Sequence, residues 1–266
     1  MLKCGINQKE HILEYIGNDY GKCAYLYIDM LKFGFENPNV SVWVQKNEKD
    51  EICVVILKYY SGMHIFSREG NFDVDDVCAL IKEQNPTMVC AMKETIDKIK
   101  DGTSGYEVEI GTVCKLNNLH VFDNIGEDET LNFAKVDEIE EIAKLLITDE
   151  ALGGSYDLET LHKQLKERLE EKFGRNIVLR KDDGEIVSHS ATYAEIGKLA
   201  VTSGVFVSPK YRAQGKSKIT LSLLCKQLID EGFDVISYYY IESAKRMHTS
   251  VGFEKIGDWA KLHKDA

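Results

Sequence analysis

The chain has 266 residues, 44% of them hydrophobic and 29% charged, with a formal net charge of −11; this is the make-up of a soluble globular protein with room for one large domain or two modest ones. No apolar run approaches the roughly 20 residues that span a bilayer, and "MLKCGINQKEHILEY" has no leader-like apolar core or small-residue cleavage site, so a cytoplasmic protein without a membrane partner is expected. Residues 131–266 carry 20 Lys and Arg against 22 Asp and Glu, so the excess acid lies in residues 1–130; that half has no basic block, which argues against a nucleic-acid partner.

The seven cysteines are odd in number and form no Cys-x-x-Cys pair. Buried thiols in a reducing compartment are expected, with no disulfide framework and no metal site.

In chain order, residues 9–35 have helical character, "VSVWVQ" and "EICVVILKYY" read as strands joined by the polar turn "KNEKD", and "GMHIFS" reads as a third strand. "DVDDVCALIKEQ" follows as a helix capped by Asp73, then "TMVCA" as a buried strand, "ETIDKIK" as a helix and "YEVEIGTVCKL" as a strand. The second half repeats the order. "VDEIEEIAKLLI" and "DLETLHKQLKERLEEKF" are helices, "NIVLRK" and "GEIVSHSATYA" flank the turn "DDG", and "KLAVTSGVFV" is the next strand. The helix "KSKITLSLLCKQLIDEG", the strand "DVISYYYI", the helix "SAKRMHTSVGF" and an edge segment "EKIGDWAKL" complete it. The pattern predicts an α/β protein with mixed sheets (α+β in character) and two domains, 1–120 and 131–266, joined by a polar linker at 121–130.

The stretch "VFVSPKYRAQGKSKIT" carries the chemistry. A strand runs through Pro209 into Arg212, Ala213, Gln214, Gly215, Lys216 and Ser217, and then into a helix whose Leu221, Leu224, Cys225 and Leu228 mark one buried face. The unpaired N–H groups and positive dipole end of that helix suit phosphate oxygens, Gly215 permits close approach, and Lys210, Arg212, Lys216 and Lys218 supply charge. A generic turn with surface lysines is the plainer reading of any one of these features; their ordered combination points to a phosphate or pyrophosphate.

That combination resembles the GNAT superfamily of acyl-CoA-dependent N-acyltransferases, whose pyrophosphate loop reads Gln/Arg-x-x-Gly-x-Gly/Ala. Arg212, Gly215 and Ser217 fill the three positions. A second family feature, Ala-x-x-Leu-Tyr-x-x-x-Gly-Phe, is similar to "AKRMHTSVGF". The resemblance covers about residues 131–260 and implies acetyl-CoA as cosubstrate, with backbone groups of Val205, Phe206 and Val207 holding the pantetheine. It further implies direct transfer of an acetyl or acyl group to a primary amine of a small molecule. The first half, with "REGNFDVDD" at the matching point, reads as a degenerate GNAT-like domain that has lost CoA binding, similar in plan to tandem glycine N-acyltransferase-like enzymes. An unrelated α/β domain is the alternative there.

The catalytic residues are less distinct. His248 stands where the family places a tyrosine that protonates the departing thiolate, and a histidine can donate a proton at neutral pH. Ile241 stands where an asparagine is common. Glu195 is the first candidate for the base and Glu242 the second; His189 and Tyr193 read as core or wall residues, and Tyr238–Tyr240 as strand packing. The loop "TDEALGGSYD" is expected to form acceptor walls. A non-catalytic CoA-binding or regulatory protein is the alternative function, and a homodimer is one open assembly state.

Overall fold

The computed structural model describes residues 1–149, 152 and 157–264. It divides into two compact units, Met1–Val113 with Lys255–Ala266, and Cys114–Glu254.

The first unit opens with β1 (Leu2–Lys3), α1 (Lys9–Ile16), α2 (Ala24–Lys32), β2 (Val40–Lys46), β3 (Ile52–Tyr59) and β4 (Gly62–Phe66). Helix α3 (Val74–Gln84), β5 (Met88–Met92), α4 (Lys93–Ile99) and β6 (Glu107–Leu116) follow, and the last three residues of β6 fall in the second unit. Strand β3 is apolar on consecutive residues, Val54 to Leu57 being wholly buried, as a strand covered on both faces requires. Antiparallel pairing joins β2, β3 and β4, and β4 runs parallel to β5. As the sequence predicts, Asp73 caps α3, its carboxylate accepting from the Asp76 N–H at 3.1 Å. Asn85 ends the helix in the left-handed conformation, which its short side chain tolerates.

The second unit contains β7 (Glu129–Phe133), α5 (Ile139–Leu146), α6 (Leu158–Glu170), β8 (Asn176–Lys181), β9 (Ile186–Ile196) and β10 (Leu199–Val207). These lead to α7 (Lys216–Asp230), β11 (Asp234–Tyr239) and α8 (Glu242–Val251). Strands β7 to β10 pair antiparallel in sequence order, and β10 pairs parallel with β11. One apolar cluster packs α7 on the sheet through Leu221, Leu224 and Leu228; another packs α5 and α6 through Ile142, Leu146, Leu161 and Leu165. Both units are mixed α/β layers with the same order of elements.

The last strand, β12 (Phe253–His263), departs from the sequence-based boundary. From Lys255 on it belongs to the first unit, pairing antiparallel with β5 from Trp259–Met92 to His263–Met88. Ala260 and Leu262 enter that unit's core beside Val89 and Ile96. Alternating apolar residues mark a strand, but they carry no label for the sheet it joins. The 121–130 segment is also packed chain: Phe122 lies against the α7 cluster, and its N–H donates to Ser222 Oγ at 3.0 Å. No helix of the described residues is long and apolar enough to cross a membrane.

Trp259 and Leu262 are both buried, and two such side chains are worth roughly 5 kcal/mol, comparable to the total stability of a small domain. A fragment of residues 1–120 therefore should show no cooperative urea transition by circular dichroism. Fusing residues 255–264 to it through a flexible linker should restore one.

Candidate functional site

The parallel pairing of β10 with β11 runs from Leu199–Asp234 to Thr202–Ser237 and, among the described residues, goes no further. Strand β10 continues for five residues, Ser203–Val207, with its β11 edge open. The parting has a local cause. On its other edge β10 shifts register against β9 between Ser203 and Phe206, and Gly204 within that bulge has φ +58°, a conformation that costs glycine little and other residues more. His189 holds the bulge, its Nδ1–H donating to Gly204 O at 2.6 Å, and a Cβ on Gly204 would meet the ring carbon Cε1 at 3.2 Å. The ring is wholly buried, and burial pushes its pKa down to about 4. Its Nε2 lies 2.9 Å from Asn176 Oδ1; a neutral ring with its proton on Nδ1 needs a donor there, which the amide supplies in its flipped orientation, N–H₂ toward the ring. His189 is thus a core residue, as its strand position suggests.

After β10 the chain turns through Pro209–Tyr211 and sets Ala213 and Gly215 at φ +62° and +77°. Gly215 is the N-cap of α7 and offers no side-chain cap. Among the described residues no acceptor meets the N–H groups of Gly215, Lys216 or Ser217, and a Cβ built on Gly215 would meet nothing within 4 Å. This is an open helix N-terminus with its donors and dipole facing unoccupied space.

The charges differ from the expectation of four cations waiting for an anion. Lys216 Nζ is 2.7 Å from Glu129, a carboxylate with 1% of its side chain exposed, which also accepts the Gly126 N–H and lies 3.4 Å from Lys181. Burial alone would raise the Glu129 pKa, but Lys216 and the Gly126 N–H outweigh it and hold the carboxyl below its usual value. Lys210 pairs with Glu185 at 2.5 Å, Arg212 with Asp149 at 3.2 Å, and Lys218 lies over the Phe122 ring. Lys216 therefore brings its N–H to the loop rather than its charge. Lys210 and Arg212 are more than half exposed, and such pairs are worth about 0–1 kcal/mol, so either cation can turn to a phosphate at small cost. Of the three β10 residues, Phe206 buries its ring in the α5–α6 core, while Val205 packs toward α7.

Glu195 and His248 both sit in fixed hydrogen-bond settings. Glu195 is held by the Arg175 guanidinium through both its oxygens, at 2.8 and 2.5 Å, and accepts from Thr192 Oγ1 at 2.6 Å, with 7% of its side chain exposed. It is a structural tie and cannot serve as the base while so bound. His248 is buried, its Nδ1 2.8 Å from Ala244 O and its Nε2 2.7 Å from Ser237 Oγ. A carbonyl only accepts, so Nδ1 carries the proton and Nε2 accepts from the serine. Burial lowers the ring's pKa below the ordinary value. A neutral ring with a bare Nε2 must take up a proton there before it can give one.

The Gly-Phe end of that motif has a plain reason. Gly252 closes α8 at φ +109°, and a Cβ there would lie 1.8 Å from Asn118 O. Glu242 is exposed in the first turn of α8, 3.5 Å from Lys245, and Ile241 precedes it, exposed. Most of "TDEALGGSYD" lies outside the described residues. Ser237 escaped the sequence reading; its only signal is a small polar residue at the last buried position of β11. In the first unit, Asp73, Asp75 and Asp76 occupy the cap and first turn of α3, where their charge would repel a phosphate.

Neither a family model nor a curated protein matches the sequence. Solved structures do match the fold. A GCN5-related N-acetyltransferase from Sphaerobacter thermophilus aligns with a TM-score of 0.66 over 99% of this chain and 94% of its own, at 13% identity. A GCN5-related N-acetyltransferase-like protein from Streptococcus suis aligns at 0.59 over 97% and 99%, again at 13% identity. A tandem GNAT protein from the clavulanic acid biosynthesis pathway aligns at 0.60 over 98% and 96%, at 10% identity. The protein thus has the GNAT fold, twice over: two GNAT-like domains in one chain. Identities this low speak for fold alone.

The depressed His189 pKa favours the folded state at any pH where the unfolded histidine is neutral. Its contribution is complete above about pH 6.5 and declines as pH falls toward 4, where the unfolded chain binds the extra proton first. Between pH 7 and 4 the stability advantage of the parent over His189→Gln should shrink by about 3 kcal/mol, measured by urea unfolding at stepped pH.

Proposed function

We propose that the second unit is an acyl-CoA-dependent N-acyltransferase, moving an acetyl group from acetyl-CoA directly to a primary amine of a small molecule. One observation carries this reading: β10 leaves β11 at Thr202–Ser237 and then runs directly into an uncapped helix N-terminus. An open strand edge suits the amide-bearing pantetheine arm, and the N-terminus suits its pyrophosphate.

In this reading the backbone of Val205, Phe206 and Val207 lines the pantetheine. The N–H groups of Ala213 to Ser217 take the pyrophosphate oxygens, with the Ser217 hydroxyl beside them. Arg212 leaves Asp149 to add its guanidinium. The thioester then lies near the apex of the opening, where its carbonyl oxygen gains charge as the amine adds and a backbone donor lowers the barrier. Holding thioester and amine together removes much of the entropic cost of a bimolecular step. The first unit, acidic where the second binds phosphate, binds no CoA. The seven thiols are all unpaired with one another, in keeping with work in the reducing cytoplasm.

A non-catalytic CoA-binding protein is the second reading. Glu195 is clamped by Arg175, and His248 in its resting tautomer carries no proton on Nε2, which is what favours this second reading. Thiol release from acetyl-CoA across a panel of primary amines separates the two.

Gly215→Glu should abolish CoA binding, weakening it at least about 100-fold by calorimetric titration, because it sets a carboxylate against the pyrophosphate. The added side chain enters open space, and the left-handed backbone at φ +77° costs it about 1–2 kcal/mol, so the urea midpoint should fall slightly while the fold is kept. Lys216→Met should behave in the opposite way. Removing one partner of a buried pair costs about 3–5 kcal/mol; Lys181, still near Glu129, trims that cost, and the loss should appear in the urea midpoint more than in the affinity for CoA.

A further inference from the structure

The geometry around β11 points to a proton relay, and we propose that Ser237 and His248 carry the proton of the transfer step. The proposal rests on the acyltransferase reading above. Ser237 is the β11 member of the last pair before the strands part, so it stands at the apex of the opening. Its hydroxyl donates to His248 Nε2 at 2.7 Å, and among the described residues no donor reaches Ser237 Oγ. The oxygen lone pairs therefore carry no donor of the protein's own, and the step requires the reacting amine to enter the apex of the opening and reach them.

The histidine is locked in the tautomer that a relay needs. Ala244 O holds the Nδ1 proton at 2.8 Å, while Tyr239 stacks on the ring at 5.3 Å and Phe253 meets its face edge-on at 5.1 Å. Ring rotation would break both hydrogen bonds. Tyr239 from β11, Cys114 from β6 and Cys225 from α7 are the titratable groups in this part of the core. Burial pushes the Cys114 thiol up to about 12 and raises that of Cys225, so no fixed charge competes for the proton. Ser237 and His248 are 2% and 4% exposed, which keeps the proton from bulk water.

The step balances. The amine nitrogen bonds to the thioester carbon; its N–H proton passes to Ser237 Oγ as the serine proton passes to His248 Nε2. The C–S bond then breaks and sulfur takes the electron pair. The Nε2 proton returns to Ser237 Oγ, and the serine proton passes to the thiolate. One proton has moved from nitrogen to sulfur, and the pair is restored. A buried imidazolium with a lowered pKa gives its proton readily to a thiolate, whose conjugate thiol has a pKa near 8.5.

The test uses the full chain, acetyl-CoA and four primary amines (n-butylamine, ethanolamine, lysine and spermidine), with free-thiol release as the readout. Ser237→Ala is expected to lower kcat by about 10²-fold or more, with the KM for acetyl-CoA within twofold of the parent. The inflection that His248 protonation adds to the acid side of the parent's kcat/KM profile, at a pH lowered by the ring's burial, should vanish in that variant; a purely structural serine would leave it in place. Ser237→Thr, which keeps the hydroxyl, should recover most of the rate. If the alanine variant does not fold, His248→Gln keeps an acceptor for Ser237 but cannot take a proton, and it should show the same loss of rate and inflection. Parent-like kcat and pH profile in Ser237→Ala would overturn the relay while leaving the acyltransferase reading intact. An acetyl group on Ser237 after incubation with acetyl-CoA alone, seen by mass spectrometry, would overturn it in favour of a nucleophilic serine. No thiol release from the parent with any amine, despite calorimetric binding of CoA, would overturn the relay and the acyltransferase reading together.

Discussion

The hydrogen bond from His189 to the carbonyl of Gly204 governs the second unit, because it fixes the bulge that turns β10 away from β11. Two parallel strands in register would satisfy one another's backbone groups and leave nothing to hold a ligand. The bulge ends the pairing at Thr202–Ser237 and opens an edge just before the loop that exposes the α7 N-terminus. The cost of this arrangement is met inside the core, where a neutral imidazole and the Asn176 amide close the hydrogen-bond ledger. Burying a polar pair is tolerable when each donor finds an acceptor.

The loop beyond the bulge shows how charge and backbone divide the work. The N–H groups of Gly215 to Ser217 point outward because Gly215 has no side chain to cap them. Lys216, which looks like part of a cationic cluster in the sequence, faces inward to Glu129 and ties the start of α7 to β7. Its pairing is nearly dry, whereas the ion pairs of Lys210 and Arg212 are wet. Only the wet pairs can be exchanged cheaply for a phosphate, since a buried carboxylate cannot be left without a partner. The same logic explains the first unit: with aspartates in the first turn of α3, the dipole that would attract a phosphate is already answered by the protein's own carboxylates.

Strand β12 ties the end of the chain to the core of the first unit. The first unit's stability therefore depends on a segment that the order of elements alone would not assign to it.

What the sequence determined by itself is what local backbone chemistry dictates. Pro209, Gly215 and the apolar face of α7 mark a strand, loop and helix N-terminus whatever surrounds them; Asp73 marks a helix start, and the Gly252–Phe253 pair marks a left-handed helix end. Those signals were enough for two α/β halves and for an anion-binding loop in the second. The roles of side chains were not readable in the same way, because each is decided by a partner distant in the sequence. Lys216 meets Glu129 across 87 residues and Glu195 meets Arg175 across 20, so a loop cation became a structural tie and a candidate base became a clamp. His248 sat in a recognisable motif, but its proton was assigned by two oxygens, Ala244 O and Ser237 Oγ; only their positions in space turn an apparent acid into a base. Periodicity records which face of a strand is buried, whereas the partner of a polar atom and the sheet that receives a final strand are settled when the chain closes on itself.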